Sequence, residues 1–293
     1  MKILLVTVLL WCCAPAQAAV ISPADSAAFR MFCVYAKRYG LEQMPVQKRI
    51  PVIARFFLGR PYKSGTLNVP DTAKPVINLR ETDCVTLVEN ILALAWLPKY
   101  REESLSRFVR NIVRVRYRNG EITDYASRLH YSTDWLYEMQ RQHLLKDITQ
   151  KTGGVKFPHR IGYMSENYRN YPQLAADTLT LLPRIRAVEA EINRRTYYYI
   201  PKDSIRKIES RIEPGDIVLI TTNIAGLDTS HLGIAYEKDG RIHLLHASSD
   251  ARRVVVSKET LGAYTQTIGS QTGIMIARAL PLLGEEWIAL PGK

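Results

Sequence analysis

Apolar residues recur at helical spacing in several stretches of the chain. This pattern predicts helices over residues 23–40, 45–58, 84–97 and near 183–195. The 84–97 stretch has the clearest signal, because Val85, Val88 and Leu92 share one helical face and Pro98 follows its end. Residues 64–83 have no apolar period and are punctuated by Asn, Pro and Asp, so we expect a loop that leads into this helix.

Alternation of apolar and polar residues predicts strands elsewhere. Residues 112–117 alternate and are followed by Asn119-Gly120, a tight-turn dipeptide, so we expect a β-hairpin there. In the last third of the chain the strand pattern covers residues 216–220, 231–236, 242–246, 254–256 and 273–278. Asp239-Gly240 predicts that the second and third of these strands form another hairpin. Helices followed by this run of strands indicate an α+β fold.

Residues 150–212 have the least regular pattern. They are polar and rich in aromatic residues, and no linker-like composition flanks them. We therefore expect a helical insertion within one domain, and not a separate domain.

The beginning of the chain has the features of an export signal. Lys2 precedes an uncharged apolar run over residues 3–13, and Ala14-Pro15-Ala16-Gln17-Ala18 offers a small-x-small cleavage site. The apolar run is shorter than the roughly 20 residues that span a bilayer. We predict a signal peptide over residues 1–18 and a single mature domain over residues 19–293. The mature protein would be periplasmic or secreted, without stable membrane insertion.

The net charge of the chain limits the classes of binding partner that we expect. The chain carries 40 Lys and Arg against 28 Asp and Glu, a net charge of +12, and the basic residues are dispersed. Such a surface suits either simple solvation or attraction to an anionic polymer of the cell envelope. Nucleic acid is a poor candidate partner for an exported chain without a recognisable binding motif. The oligomeric state cannot be predicted from these features.

Two cysteines, Cys33 and Cys84, remain after removal of the predicted signal peptide. One disulfide between them is compatible with an oxidising compartment. However, Cys33 recurs with Phe29 and Ala36 at helical spacing, so we interpret it as a buried core thiol.

Cys84 falls in the first turn of the 84–97 helix, where Thr82 or Asp83 can cap the helix. The field at a helix N-terminus favours a thiolate, and free backbone N–H groups there can stabilise an oxyanion. This position therefore makes Cys84 a candidate nucleophile. The alternative is a small buried residue on a core helix.

The C-terminal hairpin favours the catalytic interpretation. His231 begins one strand and His246 ends its partner, so antiparallel pairing brings both imidazoles to one edge of the sheet. One ring can accept the thiol proton, and the other can hold it in the right tautomer and orientation. His243 competes for the second role, but in a regular strand it faces the opposite side.

Zinc held by Cys84, His231 and His246 is another use of the same residues. The chain lacks short ligand pairs such as Cys-x-x-Cys or His-x-x-x-His. We therefore predict no metal and no other cofactor. A zinc enzyme would lose activity to a chelator and be indifferent to iodoacetamide, and a thiol enzyme would behave in the opposite way.

A polar cluster without an apolar period contains Arg128, His130, Tyr131 and Ser132. An arginine in this segment can pair with a peptide carboxylate, so we predict that the cluster binds substrate. The alternative is a turn and helix cap, with Ser132 or Thr133 as the N-cap.

The motifs, in this order, resemble the NlpC-type papain-like cell-wall hydrolases. The matching segments are Gly59-Arg60-Pro61-Tyr62, Asp83-Cys84, His231-Leu232-Gly233-Ile234 and Leu245-His246-Ala247-Ser248. The chain is more closely similar to their N-acetylmuramoyl-L-alanine amidase-like branch, formerly a domain of unknown function. That similarity lies in Asn78-Leu79-Arg80, residues 127–135 and His246-Ala247-Ser248-Ser249.

The resemblance implies a papain-like α+β fold in which N-terminal helices pack on an antiparallel sheet. It implies hydrolysis of the amide between N-acetylmuramic acid and L-alanine in peptidoglycan fragments, particularly those ending in 1,6-anhydro-N-acetylmuramic acid. It also implies Cys84 as nucleophile, His231 as base and His246 as the orienting residue, with Tyr62 and Asp83 near the substrate. The alternatives are a γ-D-glutamyl-diaminopimelate endopeptidase of the same superfamily and a non-catalytic envelope-binding protein.

Overall fold

The computed structural model describes residues 19–68, 74–158 and 160–282. The predicted signal peptide, residues 1–18, lies outside the described residues. The α-helices are α1 (Pro23–Arg38), α2 (Val46–Phe56), α3 (Cys84–Ala95), α4 (Leu105–Arg116), α5 (Ser132–Arg141), α6 (Thr149–Thr152), α7 (Tyr163–Glu166), α8 (Pro172–Ala176), α9 (Leu181–Asn193), α10 (Ile205–Ile208) and α11 (Leu261–Tyr264). The strands are β1 (Val20–Ile21), β2 (Val76–Ile77), β3 (Leu145–Asp147), β4 (Val155–Lys156), β5 (Tyr198–Pro201), β6 (Ile217–Thr222), β7 (Thr229–Lys238), β8 (Arg241–Ser248), β9 (Arg253–Thr260) and β10 (Gln271–Ala279).

One antiparallel sheet organises the molecule. Its strand order is β4-β5-β10-β6-β7-β8-β9, and β3 pairs with β10 beside this path. Along β6 every side chain is buried, because both faces of the sheet are covered. The predicted α+β class with an antiparallel sheet is therefore confirmed.

The two faces of the sheet carry different layers. On one face, Leu232 and Leu245 join a core with α1 to α4 that includes Phe32 and Ile91. On the other face, Ile220 and Leu244 pack with α10 and α11. This alternation follows from the two-residue period of a strand. The sheet therefore lies between the N-terminal helices and a thinner C-terminal layer.

The predicted helices over residues 23–40, 45–58 and 84–97 are observed as α1, α2 and α3, and the helix near 183–195 is α9. Within the described part of the 64–83 loop, only the short strand β2 forms. The hairpin through Asp239-Gly240 is also observed, because β7 and β8 pair from Lys238–Arg241 to Ile234–Leu245.

The hairpin predicted at residues 112–117 is wrong, because this segment is the end of α4. Phe108, Ile112 and Val115 recur at helical spacing and are fully buried. A short window of alternating Val and Arg fits either structure, and packing of α4 against α3 selects the helix. Asn119 and Gly120 do adopt left-handed conformations, but the turn that they form follows a helix.

The region 150–212 contains strands as well as helices. Strand β5 pairs with β10 of the main sheet, and β4 pairs with β5. Met164 and Ile185 from this region pack with Tyr125 and Tyr131 in a separate apolar cluster. Its interpretation as an insertion stays a prediction. Among the described residues, no helix is long and apolar enough to cross a membrane.

Candidate active site

Cys84 is the first residue of α3, and a capping box holds it there. The Asp83 carboxylate accepts hydrogen bonds from the Thr86 N–H and hydroxyl, both at 2.8 Å. The Thr86 hydroxyl in turn accepts from the Asp83 N–H at 3.0 Å. These reciprocal bonds satisfy helix-end donors and fix the direction of the first turn. They confirm Asp83, and not Thr82, as the cap.

The loop before Cys84 is tied to two helices. Asp25 of α1 is buried, and its carboxylate accepts from the Leu79 N–H at 3.0 Å and the Arg80 guanidinium at 3.2 Å. Asn90 of α3 donates to the Asn78 carbonyl at 2.9 Å. Sequence patterns did not indicate Asp25 or Asn90, because their partners are distant along the chain.

The Gly59-Arg60-Pro61-Tyr62 segment connects this loop to the edge of the sheet. The Tyr62 N–H donates to the Arg252 carbonyl at 2.9 Å, and the Thr82 N–H donates to the Pro61 carbonyl at 3.1 Å. Burial raises the pKa of the Tyr62 hydroxyl, and the nearby Cys84 and Asp83 add to this shift. Tyr62 and Asp83 therefore both border the cysteine.

The helix that begins at Cys84 packs against β7. The Ala235 N–H bonds to the Asp216 carbonyl on one side of β7, so by alternation the Leu232 N–H points to the β8 side. Pairing with β8 ends at Ile234, and the Leu232 N–H lies close enough to the Cys84 sulfur to lower the pKa of the thiol. The sulfur therefore lies near Leu232, the residue that follows His231.

The electrostatics of Cys84 differ from the sequence-based expectation. Burial and then the Asp83 carboxylate raise the pKa of the Cys84 thiol to about 12, although the N–H groups of Leu232, Cys84 and Val85 lower it. The N–H groups at the helix N-terminus therefore favour the thiolate as expected, but desolvation opposes them more strongly, so the pKa is raised overall. Both cysteines are free thiols.

Cys33 is half-buried, and not fully buried as predicted. It packs against the main core, and burial raises the pKa of its thiol to about 11. The apolar period correctly placed Cys33 on the inner side of α1, but it did not resolve the depth at which the residue lies.

The two histidines meet as the hairpin predicted. His231 Nε2 lies 2.7 Å from His246 Nδ1, and the rings are almost perpendicular, at 87°. Burial, together with the neighbouring His246, lowers the pKa of His231 to about 3. Burial lowers the pKa of His246 to about 4. Both rings are therefore neutral at pH 7 and can exchange a hydrogen bond. His243 bonds separately to the Ser257 carbonyl at 3.0 Å.

Tyr264 of α11 forms a wall of the site that sequence patterns did not reveal. Its ring centroid lies 5.2 Å from that of His246 and 6.5 Å from that of His231. Burial raises the pKa of Tyr264 to about 12, and Asp250 and Cys84 add to this shift. Tyr264 therefore joins the thiol and the imidazoles in one site.

Gly233 allows β7 and β8 to come together next to the histidines. A Cβ atom there would lie 2.7 Å from Leu244 Cδ1 and 2.8 Å from the Leu245 carbonyl oxygen. Leu245 directly precedes His246, so a side chain at position 233 would push the histidine away. The φ of Gly233 lies outside the left-handed range, so its backbone conformation does not require glycine. Glycine is required here because the two strands approach each other closely.

Arg128 and His130 of the predicted substrate cluster lie together. The Arg128 guanidinium lies over the Tyr125 ring at 5.1 Å, and its Nε donates to His130 Nδ1 at 3.4 Å. The Glu89 carboxylate lies within electrostatic range of both Arg128 and Asp83. These residues therefore border the first turns of α3.

Tyr131 and Ser132 have internal partners. The Tyr131 hydroxyl donates to Glu189 at 2.7 Å and accepts from the Met164 N–H at 2.8 Å, and the residue is 2% exposed. The Ser132 and Thr229 hydroxyls bond to each other at 2.5 Å. These placements suit packing better than the predicted substrate contact.

The cap of α5 also differs from the prediction. Tyr131 occupies the N-cap position, and its side chain makes no capping bond. Instead, the buried Asp228 carboxylate accepts from the Thr133 N–H at 2.7 Å. The cap comes from the loop before β7, and it fixes the start of the strand that carries His231.

Within the described ranges, no group of three or more His, Cys, Asp or Glu residues has the arrangement of a metal site.

Comparison with known proteins identifies relatives with a similar sequence and fold. The model of the AmiA-like family, described as N-acetylmuramoyl-L-alanine amidase-like, matches residues 52–274. The structure of an N-acetylmuramoyl-L-alanine amidase from Bacteroides uniformis is 36% identical with a TM-score of 0.76, and the match covers 80% of this chain and 99% of that chain. No curated protein matches the chain significantly.

Two further structures are similar. One from Bacteroides fragilis, described as a putative xylanase, is 39% identical with a TM-score of 0.73, covering 78% of this chain and 99% of that chain. A protein from Legionella pneumophila is 23% identical with a TM-score of 0.66, covering 88% of this chain and 95% of that chain. At that identity the likeness concerns the fold alone.

Proposed function

The chain belongs to the N-acetylmuramoyl-L-alanine amidase-like family, and from this premise we propose that it is a cysteine amidase acting on peptidoglycan fragments. The scissile bond would be the amide between the lactyl group of N-acetylmuramic acid and L-alanine. The preferred substrates would be fragments that end in 1,6-anhydro-N-acetylmuramic acid. The observation that carries this proposal is the His231–His246 contact at 2.7 Å beside Tyr264, whose ring lies against both imidazoles and whose hydroxyl lies near enough to Cys84 for the thiol to affect its pKa.

In the proposed reaction, His231 accepts the thiol proton as the Cys84 sulfur attacks the lactyl carbonyl carbon. Because Nε2 of His231 faces His246, its Nδ1 is the nitrogen that receives the proton. The amide C–N bond then breaks, and the peptide amine leaves with that proton. Water, deprotonated by His231, attacks the thioester carbonyl and releases the lactyl carboxylate and the thiol.

The raised pKa of Cys84 and the lowered pKa of His231 give this proposal a specific form. These directions favour a neutral thiol and a neutral imidazole in the resting enzyme over a thiolate–imidazolium pair. Proton transfer therefore accompanies attack, when negative charge moves from sulfur to the carbonyl oxygen.

The wider proposal concerns the fold and the location. A helix that carries the cysteine and packs on a sheet that carries the histidines supports a papain-like, NlpC-type fold. The single domain over residues 19–293, with its insertion at about residues 150–212, fits the continuous sheet. Export through residues 1–18 to the periplasm or beyond would bring the enzyme to its substrate.

A γ-D-glutamyl-diaminopimelate endopeptidase would use the same residues and cut within the stem peptide. A non-catalytic envelope-binding protein would have no need of a thiol beside two imidazoles. A xylanase needs two carboxyl groups that flank a glycosidic bond. Asp83 is bound to Thr86, and Glu89 is buried against Arg116 at 2.7 Å, so neither suits that role.

The experiment is mass analysis of anhydro-muropeptides digested by the mature protein. The amidase releases intact stem peptide and the anhydro-disaccharide, whereas shortened stem peptides would identify the endopeptidase. Cys84→Ala should abolish both products, and Cys33→Ser should leave the rate unchanged. Loss of activity with a chelator but not with iodoacetamide would refute the thiol mechanism.

A further inference from the structure

A small pocket contains two cations, Lys74 and Arg128, and Arg128 forms no ion pair with any of the described residues. Its lining includes Tyr117, Asp124, Tyr125 and Arg128. An isolated β-bridge joins Tyr117 to Arg128, and the Leu129 N–H bonds to the Arg116 carbonyl at 2.9 Å. The backbone that carries Arg128 is therefore held against the end of α4.

Other arginines already neutralise both nearby carboxylates. Asp124 forms an ion pair with Arg184, and the buried Glu89 binds Arg116 at 2.7 Å. Among the described residues, no Asp or Glu carboxylate forms an ion pair with the Arg128 guanidinium, for which the two groups must lie within 4.0 Å. A partly buried guanidinium without a counter-ion is a ready binding group for an anion.

A neutral histidine holds this guanidinium in place. His130 Nε2 lies 2.9 Å from the Tyr125 carbonyl and therefore carries the hydrogen, so Nδ1 is free to accept from Arg128. Burial, followed by the positive charge of Arg128, lowers the pKa of His130 well below its ordinary value. The Tyr125 ring lies beneath the guanidinium at 5.1 Å. His130 and Tyr125 thus orient Arg128 without neutralising it.

The pocket is connected to the helix that carries Cys84. Glu89 of α3 accepts from the Arg116 guanidinium at 2.7 Å, and the next residue, Tyr117, forms a β-bridge with Arg128. Tyr171 of the 150–212 region also lies near Tyr125 and Arg128. A substrate that reached from Cys84 along α3 would meet Arg128 between this helix and the 150–212 region.

We propose that Arg128 binds a free carboxylate on the peptide portion of the substrate and so selects peptides that carry one. This inference rests on the proposed amidase function. Arg128 acts as a specificity residue, and His130 is the positioning residue that presents its guanidinium. A fork of N–H donors suits a carboxylate, whereas a carboxamide lacks the charge and one acceptor.

The experiment pairs two substrates with two enzymes. Muramoyl peptides that differ only in a carboxylate or a carboxamide on the peptide are offered to the wild type and to Arg128→Gln. The wild type should favour the carboxylate by about tenfold or more in kcat/KM, chiefly through KM, and the variant should lose that preference. Arg110→Gln, on the exposed side of α4, is the matched control and should keep it.

Equal loss on both substrates in Arg128→Gln, or no preference in the wild type, would overturn the proposal. A binding measurement separates this test from the amidase proposal. Cys84→Ala should bind the carboxylate peptide more tightly than the carboxamide peptide, and Cys84→Ala with Arg128→Gln should bind them equally. If the wild type cleaves neither substrate, this binding difference alone decides for or against the Arg128 site.

Discussion

His231 Nε2 lies 2.7 Å from His246 Nδ1. One of these two nitrogens must carry the hydrogen that joins them. If His231 is to receive a proton at Nδ1, its Nε2 carries the hydrogen and His246 accepts it. The contact therefore assigns different roles to two residues of the same chemical type.

The first prediction concerns the acceptor on His246. His246→Asn keeps an acceptor oxygen near the position of Nδ1, so we expect roughly a tenfold loss of kcat/KM. His246→Leu removes the acceptor and should cost about 100-fold, since the imidazolium of His231 is then left unsupported. Steady-state rates on anhydro-muropeptides test the difference. Equal rates for the two variants would show that the acceptor is unimportant.

The second prediction concerns the reactivity of Cys84. Because burial raises its pKa to about 12, little thiolate is present at neutral pH. In a Cys33→Ser background, the alkylation rate with iodoacetamide should rise about tenfold per pH unit between about pH 7 and 10. A rate that is already constant between about pH 6 and 8 would indicate a preformed thiolate–imidazolium pair, and would contradict this prediction.

The third prediction concerns acid stability. Folding lowers the pKa of His231 to about 3 and of His246 to about 4, below the unfolded value of about 6.5. Between these values the unfolded chain binds more protons, so the free energy of unfolding should fall as the pH falls below about 6.5. Above that pH the contribution is constant.

Urea unfolding at several pH values measures this dependence. A His231→Leu, His246→Leu variant should lose less stability on acidification than the wild type. His130, whose pKa is also lowered, leaves part of the dependence in place. The same slope in both proteins would mean that the histidine pair does not titrate as described.

The fourth prediction concerns the close contact at Gly233. Gly233→Ala would place a methyl group 2.8 Å from the Leu245 carbonyl oxygen, and we expect destabilisation of about 1–3 kcal/mol. Activity should fall as well, because the strand that carries His246 must move. Gly269→Ala has open space around it and should change the unfolding midpoint little. An unchanged midpoint in Gly233→Ala would contradict the steric explanation.

The sequence patterns predicted local structure best where the spacing of apolar residues within one element is sufficient to identify it. The capped helix at Cys84 and the hairpin that unites His231 with His246 follow from short-range spacing. Residues 112–117 were ambiguous, because a short alternation of Val and Arg fits a strand or one face of a helix. Packing of α4 on α3 resolved the ambiguity, and packing is a long-range property.

The sequence by itself determined the class of fold, the helix that begins at Cys84 and the pairing of the two histidines. Only the tertiary structure decided the surroundings of these groups: Tyr264 against both rings, Asp25 under the loop, and an Arg128 whose neighbouring carboxylates bind other arginines. It also decided that burial of Cys84 outweighs the helix N-terminus that favours its thiolate. The physical reason is that desolvation and charge pairing depend on which distant residues exclude water, whereas helix caps and strand register depend on neighbours along the chain.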